Sequence, residues 1–298
     1  MSASPADAGR LRWLLLGTMA LWGANLPVVK LLLEWLSPMA VSALRITVAA
    51  LAMLGFVAWQ RRPRPPLRAR QWAGLALCGL VMIYLNQLCF VAGVARTQAA
   101  NAALIIALNP LVSALAAAVL QGDRLTPQRL AGVALGFGGV AAVVLNKPGA
   151  ALGGTGWGDA LMFGSVLTWV GGGLLVQRLA AGMDPMRVSA LVNVFGSAML
   201  LVHLLLGPGP ALPPLAQLTP LVLALLLGSG LLSTALGGLV WNRALVTLGV
   251  ARTALYAYWV PIFGVAFAVL LLGEPLSAWH GVGLAGVLGG TWLGTRRA

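Results

Sequence analysis

The side chains of this chain that could do polar chemistry are few, and most stand inside long apolar stretches. Arg45 follows Pro38 by seven residues in an otherwise apolar run, and a guanidinium is the group best shaped to take a carboxylate in a two-pronged hydrogen bond. Around it in sequence lie aromatic and amide side chains whose spacing gathers them on helix faces. Thr18, Trp22 and Asn25 fall at i, i+4 and i+7, Tyr84 and Gln87 at i and i+3, Asn101 and Asn109 at i and i+8, and Tyr256, Trp259 and Phe263 at i, i+3 and i+7. Trp169 and the Trp241-Asn242 pair complete the set. A pocket lined by Trp22, Asn25, Arg45, Tyr84, Gln87, Asn101, Trp169, Trp241, Tyr256 and Trp259 suits a small amphipathic solute, with rings stacking on its apolar or cationic part and amides orienting its polar ends. Each residue also has a structural use. Trp and Tyr anchor helices at membrane interfaces, and buried Asn ties helices together. Arg45, roughly 10 Å of helix rise from Pro38, can snorkel outward or bond backbone carbonyls.

Other chemistries lack material. Of the six carboxylates, Asp7, Glu34, Asp159 and Asp184 lie near or outside the ends of apolar runs, and Asp123 and Glu274 close two such runs, where local pairing or capping is their expected role. No carboxylate is expected at mid-depth of a membrane, where a proton-coupled cation exporter would keep one. His203 lies in the seventh apolar run and His280 near the start of the tenth, and a proton role is expected of neither, which points to facilitated efflux or to a coupling group that the sequence does not identify. There is no His-Glu-x-x-His zinc motif, acidic metal cluster or Gly-Lys phosphate loop, so neither an enzyme nor an ATP-driven pump is expected, and no cofactor or metal. A channel would call for a charged or carbonyl-lined filter. Cys78 and Cys89 share one apolar stretch about 16 Å of rise apart, too far to bridge.

The elements that must hold these groups follow from composition. With 60% apolar and 8% charged residues among 298, the chain cannot cover itself with a water-facing surface. Ten apolar stretches near 11–30, 38–59, 71–93, 100–121, 127–145, 158–178, 187–206, 219–241, 253–272 and 279–295 are long enough to span a bilayer, separated by short loops. The first keeps Trp22, Asn25, Pro27 and Lys30 at its far end without a cleavage pattern and is read as a helix, not a signal peptide. With the N-terminus inside, fifteen Lys and Arg fall on the cytoplasmic side and Lys30, Arg96 and Lys147 on the outer side, which places both termini in the cytoplasm. The net charge of +13 is thereby a property of one membrane face and implies no nucleic-acid partner.

The chain also repeats itself. A shift of 147 positions lays Pro38-Met39-Ala40-Val41-Ser42-Ala43-Leu44 on Pro185-Met186-Arg187-Val188-Ser189-Ala190-Leu191 and Trp22 on Trp169. A shift of 151 lays Pro110 on Pro261, Gly122-Asp123 on Gly273-Glu274 and Gly138-Gly139 on Gly289-Gly290. Each copy holds five stretches, an odd number, so the second enters the membrane inverted. Inverted repeats are a transporter architecture in which two halves rock about a midplane site. Pro110 and Pro261 mark matched bends, and the glycine rows Gly132-Gly136 and Gly286-Gly290-Gly294 allow close helix approach, within one chain or between two.

These features resemble the EamA-type members of the drug/metabolite transporter superfamily. The resemblance is carried by Trp22-Gly23, by Pro38 followed by Arg45, and by Pro110 with Gly122-Asp123-Arg124-Leu125; the second half supplies Pro261 and Gly273-Glu274-Pro275-Leu276. It implies an all-α integral membrane protein of ten transmembrane helices in two inverted five-helix repeats, 11–145 and 158–295. The implied activity is a secondary transporter of a bacterial inner membrane that exports small amphipathic metabolites such as amino acids by alternating access; a multidrug or cation exporter is the alternative. Its expected partners are a small-molecule substrate and the lipid bilayer, with monomer and homodimer both open. The second half departs from the pattern at Val192, which stands where Arg45 stands in the first, so that charge belongs to no symmetric pair.

Overall fold

The computed structural model describes residues 5–61, 65–121, 126–146, 156–180, 182–207, 214, 217–248, 256–257 and 259–295. Asp123, Lys147, Arg62, Arg64, Arg124, Arg252, Arg296 and Arg297, all used in the sequence argument, lie outside them. The described residues form helices and connecting turns without strands. In order these are α1 (Pro5–Leu32), α2 (Pro38–Trp59), α3 (Ala69–Gly79), a π-helical segment Leu80–Leu85, α4 (Asn86–Val94), α5 (Ala99–Ile106), α6 (Asn109–Gln121), α7 (Pro127–Leu145), α8 (Gly156–Leu179), α9 (Pro185–Leu206), α10 (Pro220–Leu227), a second π-helical segment Gly228–Leu236, α11 (Gly237–Leu248), α12 (Trp259–Leu272) and α13 (Ala278–Thr295). Among the described residues six helical stretches are long and apolar enough to cross a membrane, and Ala99–Ser113, Leu130–Val143 and Trp259–Leu272 are shorter apolar helices.

Local sequence explains the starts. Ser37, Asp184 and Thr219 each stand before a proline at the first helical position, and their side chains accept hydrogen bonds from the amides of Ala40, Met186 and Val222. That pairing satisfies an orphan amide while the proline supplies a pre-set φ and has no amide to leave unbonded. The stretch expected over 100–121 is not one helix. Pro110 cannot donate to the carbonyl four residues back, so the chain tightens, with the Leu108 amide on the Ile105 carbonyl at 3.0 Å, and restarts with the Val112 amide on the Leu108 carbonyl. Asn101 and Asn109, read from sequence as one face, therefore sit on two helices.

The largest core joins Leu26, Val29 and Leu32 of α1, Val41 and Ile46 of α2, Ala99–Leu104 of α5 and Met162 of α8, all at most 2% exposed. The outer surface is apolar too: Leu206 is 82% exposed and Leu270 75%, a face that only a bilayer covers at acceptable cost. Two close approaches fix the packing. A Cβ on Gly290 of α13 would lie 2.5 Å from the Gly132 carbonyl of α7, and one on Gly23 of α1 would lie 2.7 Å from the Gly264 amide of α12. The glycine rows thus meet within this chain.

The two π segments begin at Leu80 and Gly228, 148 positions apart, one residue off the shift that aligns the halves. They widen the helix over six and nine residues in the middle of long apolar stretches, and such segments are frequent at functional sites.

Candidate functional site

Arg45 does not snorkel. It is 3% exposed and turns into the bundle from α2, whose neighbouring Ser42, Ala43, Ile46 and Ala49 are buried with it. One terminal nitrogen donates to Oε1 of Gln87 in a short bond, the other to Oγ of Ser229 at 3.4 Å, and the guanidinium carbon lies 5.6 Å from the Phe90 ring centre. The network continues through neutral groups: Ser229 donates to Oδ1 of Asn25 at 2.5 Å, Gln87 to Oδ1 of Asn86 at 3.2 Å, and Asn86 to the Ser165 carbonyl of α8 at 2.7 Å. Nε of Arg45 is buried with no hydrogen-bond partner, and no carboxylate pairs with it among the described residues. A buried charge held only by neutral dipoles is expensive unless a counter-charge completes it.

The second π segment supplies one partner of this side chain, and the helix that leaves the first supplies the other. Gln87 follows the first π segment by two residues, and Ser229 lies in the second, where the Thr234 hydroxyl bonds back to the Ser229 carbonyl five residues earlier at 3.2 Å. Four residues on from Ser229, the Ser233 carbonyl accepts from Nε1 of Trp22 at 2.8 Å and its hydroxyl donates to the Leu21 carbonyl at 3.1 Å. Asn25 and Trp22, three apart on α1, are thus read in register by Ser229 and Ser233.

Trp22 opens a second, aromatic storey. Its ring centre is 5.3 Å from that of Trp241, and Tyr256 packs beside them around Leu11, Leu15, Met19, Ala244 and Val260. Phe263 joins the same group and carries Trp259 at 5.9 Å. Of the residues singled out from sequence, the structure brings Asn25, Arg45 and Gln87 together at the polar centre and Trp22, Trp241 and Tyr256 into the aromatic cluster. Trp259 is 44% exposed at its edge, and Trp169, 45% exposed, joins neither group. The sequence match of Trp22 with Trp169 does not extend to burial.

Tyr84 and Asn101 go elsewhere. Tyr84, within the first π segment, meets Nδ1 of His203 on α9 with its hydroxyl at 2.8 Å. His203 and Gln87 line a cleft of about 340 Å³ with Ser42, Arg96 and the start of α2. Asn101 of α5 meets Nε2 of His280 at 3.2 Å, at the end of the bundle where α1 finishes. There Glu274, 8% exposed, accepts from Lys30 at 2.8 Å and from the amides of Ala99 and Ala100 at 2.8 and 3.0 Å, while Lys30 also donates to the Thr97 carbonyl at 2.9 Å. The Thr97 hydroxyl bonds Asp159 at 2.5 Å. Pairing and capping, the roles expected for Glu274, are both present. Sequence reasoning missed Ser229, Ser233 and Asn86; two serines four apart in an apolar run were the available signal.

Comparisons with known proteins agree with this architecture. The family model described as "EamA-like transporter family" matches twice, over residues 12–145 and 156–296. The "Probable terminal-alkyne amino-acid exporter" of Streptantibioticus cattleyicolor is 30% identical over 283 residues, 93% of this chain and 91% of that one. The "Probable amino-acid metabolite efflux pump" of Salmonella typhimurium is 26% identical over 291 residues, 94% of this chain and 93% of that one. A solved crystal structure at 19% identity superposes with a TM-score of 0.65 over 96% of this chain and 98% of its own, a shared fold. With its two copies of the family's repeat in an apolar, multi-pass helical membrane bundle, this chain belongs to the EamA-like transporter family.

Proposed function

We propose that the protein exports small amino-acid-like metabolites across a bacterial inner membrane by alternating access, with Arg45 holding the substrate carboxylate. The observation that carries this reading is the buried guanidinium, whose Nε has no partner and whose described hydrogen-bond partners, Gln87 and Ser229, are neutral. A carboxylate is the ligand that completes such a group with charge-assisted, bidentate bonds. Asn25, Gln87 and Ser229 orient it, and Trp22, Trp241 and Tyr256 form the apolar wall for the side chain. The two named relatives, an amino-acid exporter and an amino-acid metabolite efflux pump, support the same solute class. In this reading ten spans form two inverted repeats, 11–145 and 158–295, with both termini in the cytoplasm; the Lys30 end of the bundle then faces outward, and the glycine rows, spent on contacts within the chain, leave a monomer sufficient.

Counterflow in proteoliposomes tests it. Radiolabelled L-leucine, L-threonine and L-phenylalanine are each exchanged against unlabelled amino acids, the corresponding decarboxylated amines, and lipophilic cations. Competition by amino acids and none by the amines is expected. Competition by lipophilic cations and amines alone would overturn carboxylate recognition and establish the drug-exporter alternative.

A further inference from the structure

The polar centre explains how a carboxylate is held but supplies no driving force, and the described carboxylates of the bundle interior, Asp159 and Glu274, are engaged at its Lys30 end. One titratable pair is left beside the site. His203, half-buried on α9, faces the cleft that Gln87 also lines, and its Nδ1 is bonded to the Tyr84 hydroxyl. Tyr84 and Gln87 are three apart on one helix face, and Gln87 is bonded to Arg45. His280, in contrast, has both nitrogens engaged, by Asn101 and by Ser277.

We propose that the His203–Tyr84 pair is the binding site of the coupling proton, and that the proton and the substrate's α-ammonium exclude one another there, making transport a proton/amino-acid exchange. The inference rests on the amino-acid reading above. The cleft reaches Gln87, the partner of Arg45, and through it a zwitterion with its carboxylate on Arg45 can direct its ammonium toward His203. In the tautomer whose Nδ1–H donates to the Tyr84 oxygen, neutral imidazole keeps its Nε2 lone pair and, with that oxygen's remaining lone pair, accepts from the ammonium; imidazolium has two N–H donors and no lone pair, and repels it. Imidazole is also the side chain whose charge changes between about pH 5 and 8. The cleft reaches Ser37 and Pro38 at the start of α2, so in the proposed orientation the proton arrives from outside, binds the imidazole as the substrate leaves, and is given up on the cytoplasmic side before the next substrate binds.

The other charged and titratable groups on the packed elements set the field. Arg96, donating to the Ala92 carbonyl, shares the cleft, and Arg45, the second cation, lies behind Gln87. On α3, Arg70 stands near the start and Cys78, a buried thiol, near the end. On α9 itself Arg187 is tied to the Pro65 carbonyl, and Asn242, next to Arg243 of α11, bonds Ser189; these positions are 14 to 16 residues from His203, about 21 to 24 Å of rise.

Three measurements on the full chain test the proposal. In wild-type proteoliposomes a transmembrane pH gradient should drive labelled L-leucine, L-threonine or L-phenylalanine above its equilibrium level, and in His203→Gln that accumulation should fall by about tenfold, within the usual range for coupling between two sites. Exchange should weaken from pH 8 to pH 5 in wild type and become insensitive to pH in His203→Gln. Tyr84→Phe, which keeps the imidazole but removes its partner and one acceptor for the ammonium, should weaken gradient-driven uptake and displace its pH midpoint, and the displaced midpoint is a change that a packing role alone would not produce. Should His203→Gln fail to fold, the 15N resonances of the wild-type His203 ring decide: titration between pH 5 and 8 is expected, and an unchanged charge over that range overturns the site whatever the substrate. Gradient-driven uptake by His203→Gln at the wild-type level overturns it equally. Absence of counterflow for every amino acid tried would instead overturn the amino-acid reading, and with it the exchange of ammonium for proton.

Discussion

Arg45 separates a structural role from a binding role by the sign of a stability change. If the guanidinium were kept for its hydrogen bonds to Gln87 and Ser229, Arg45→Gln would lose them and weaken the fold. If it is kept for a ligand, the empty site holds an incompletely solvated charge, and removing that charge leaves stability unchanged or higher. We expect the second outcome: Arg45→Gln with a thermal midpoint in detergent at or above wild type and with amino-acid counterflow abolished. Arg45→Lys keeps the charge but loses the planar fork; a loss of about 1.5–3 kcal/mol, typical of hydrogen bonds to charged groups, corresponds to half-saturation raised on the order of 10- to 100-fold for amino acids. A clear drop in midpoint for Arg45→Gln would assign the residue to structure. Arg45 itself was legible in the sequence, because a charge inside an apolar run is conspicuous. Its partners were not: Ser229 is 184 positions away, and a serine in a membrane helix is unremarkable until the fold brings it to a guanidinium.

At the scale of elements, the apolar character of the long helices was legible; α2 starts at the expected Pro38, and α9 starts at Pro185, two residues before the expected 187. The π segments were not legible, since widening the hydrogen-bond rings over a few residues does not disturb the apolar run that reveals the helix. The break before Pro110 was legible only as a bend. The Lys30–Glu274 contact shows how loop, helix end and neighbouring helix are made one. Glu274 sits just past α12 and offers one oxygen to Lys30 of α1 and both oxygens to the first amides of α5, where the helix dipole adds to the attraction. Glu274→Ala strands a part-buried ammonium and uncaps α5, so a loss toward about 3–5 kcal/mol, reduced by the partial exposure of Lys30, is expected as a lowered detergent midpoint. Glu274→Gln retains one acceptor oxygen and should fall between wild type and the alanine variant. In the proposed orientation this contact ties the outer ends of α1 and α5 to the α12–α13 turn, so loosening it should also speed exchange measured at equal pH on both sides. An alanine variant as heat-resistant as wild type would remove the contact from the list of things that hold the bundle closed.

For the whole molecule, the duplicated halves and the charge bias make a joint demand that neither makes alone. Two copies of five spans can be related by inversion only if the chain ends on the side where it starts, and the basic residues must then gather on that side. Two sets of contacts mark the two ends of the bundle. Arg187 at the start of α9 reaches the Pro65 carbonyl between α2 and α3, which sets those ends together, while Lys30, Thr97, Asp159 and Glu274 meet at the opposite end. The side on which each end lies is decided by labelling. In a chain with Cys78 and Cys89 replaced by serine, single cysteines at Glu34 and Asp184, both exposed and at opposite ends, are offered a membrane-impermeant maleimide. Glu34→Cys should react in intact cells and Asp184→Cys only after permeabilisation. The reverse pattern would turn the cleft, His203 and the Lys30–Glu274 contact toward the cytoplasm and overturn the proposed path of the proton from outside, while the proton gradient would still set the direction of exchange.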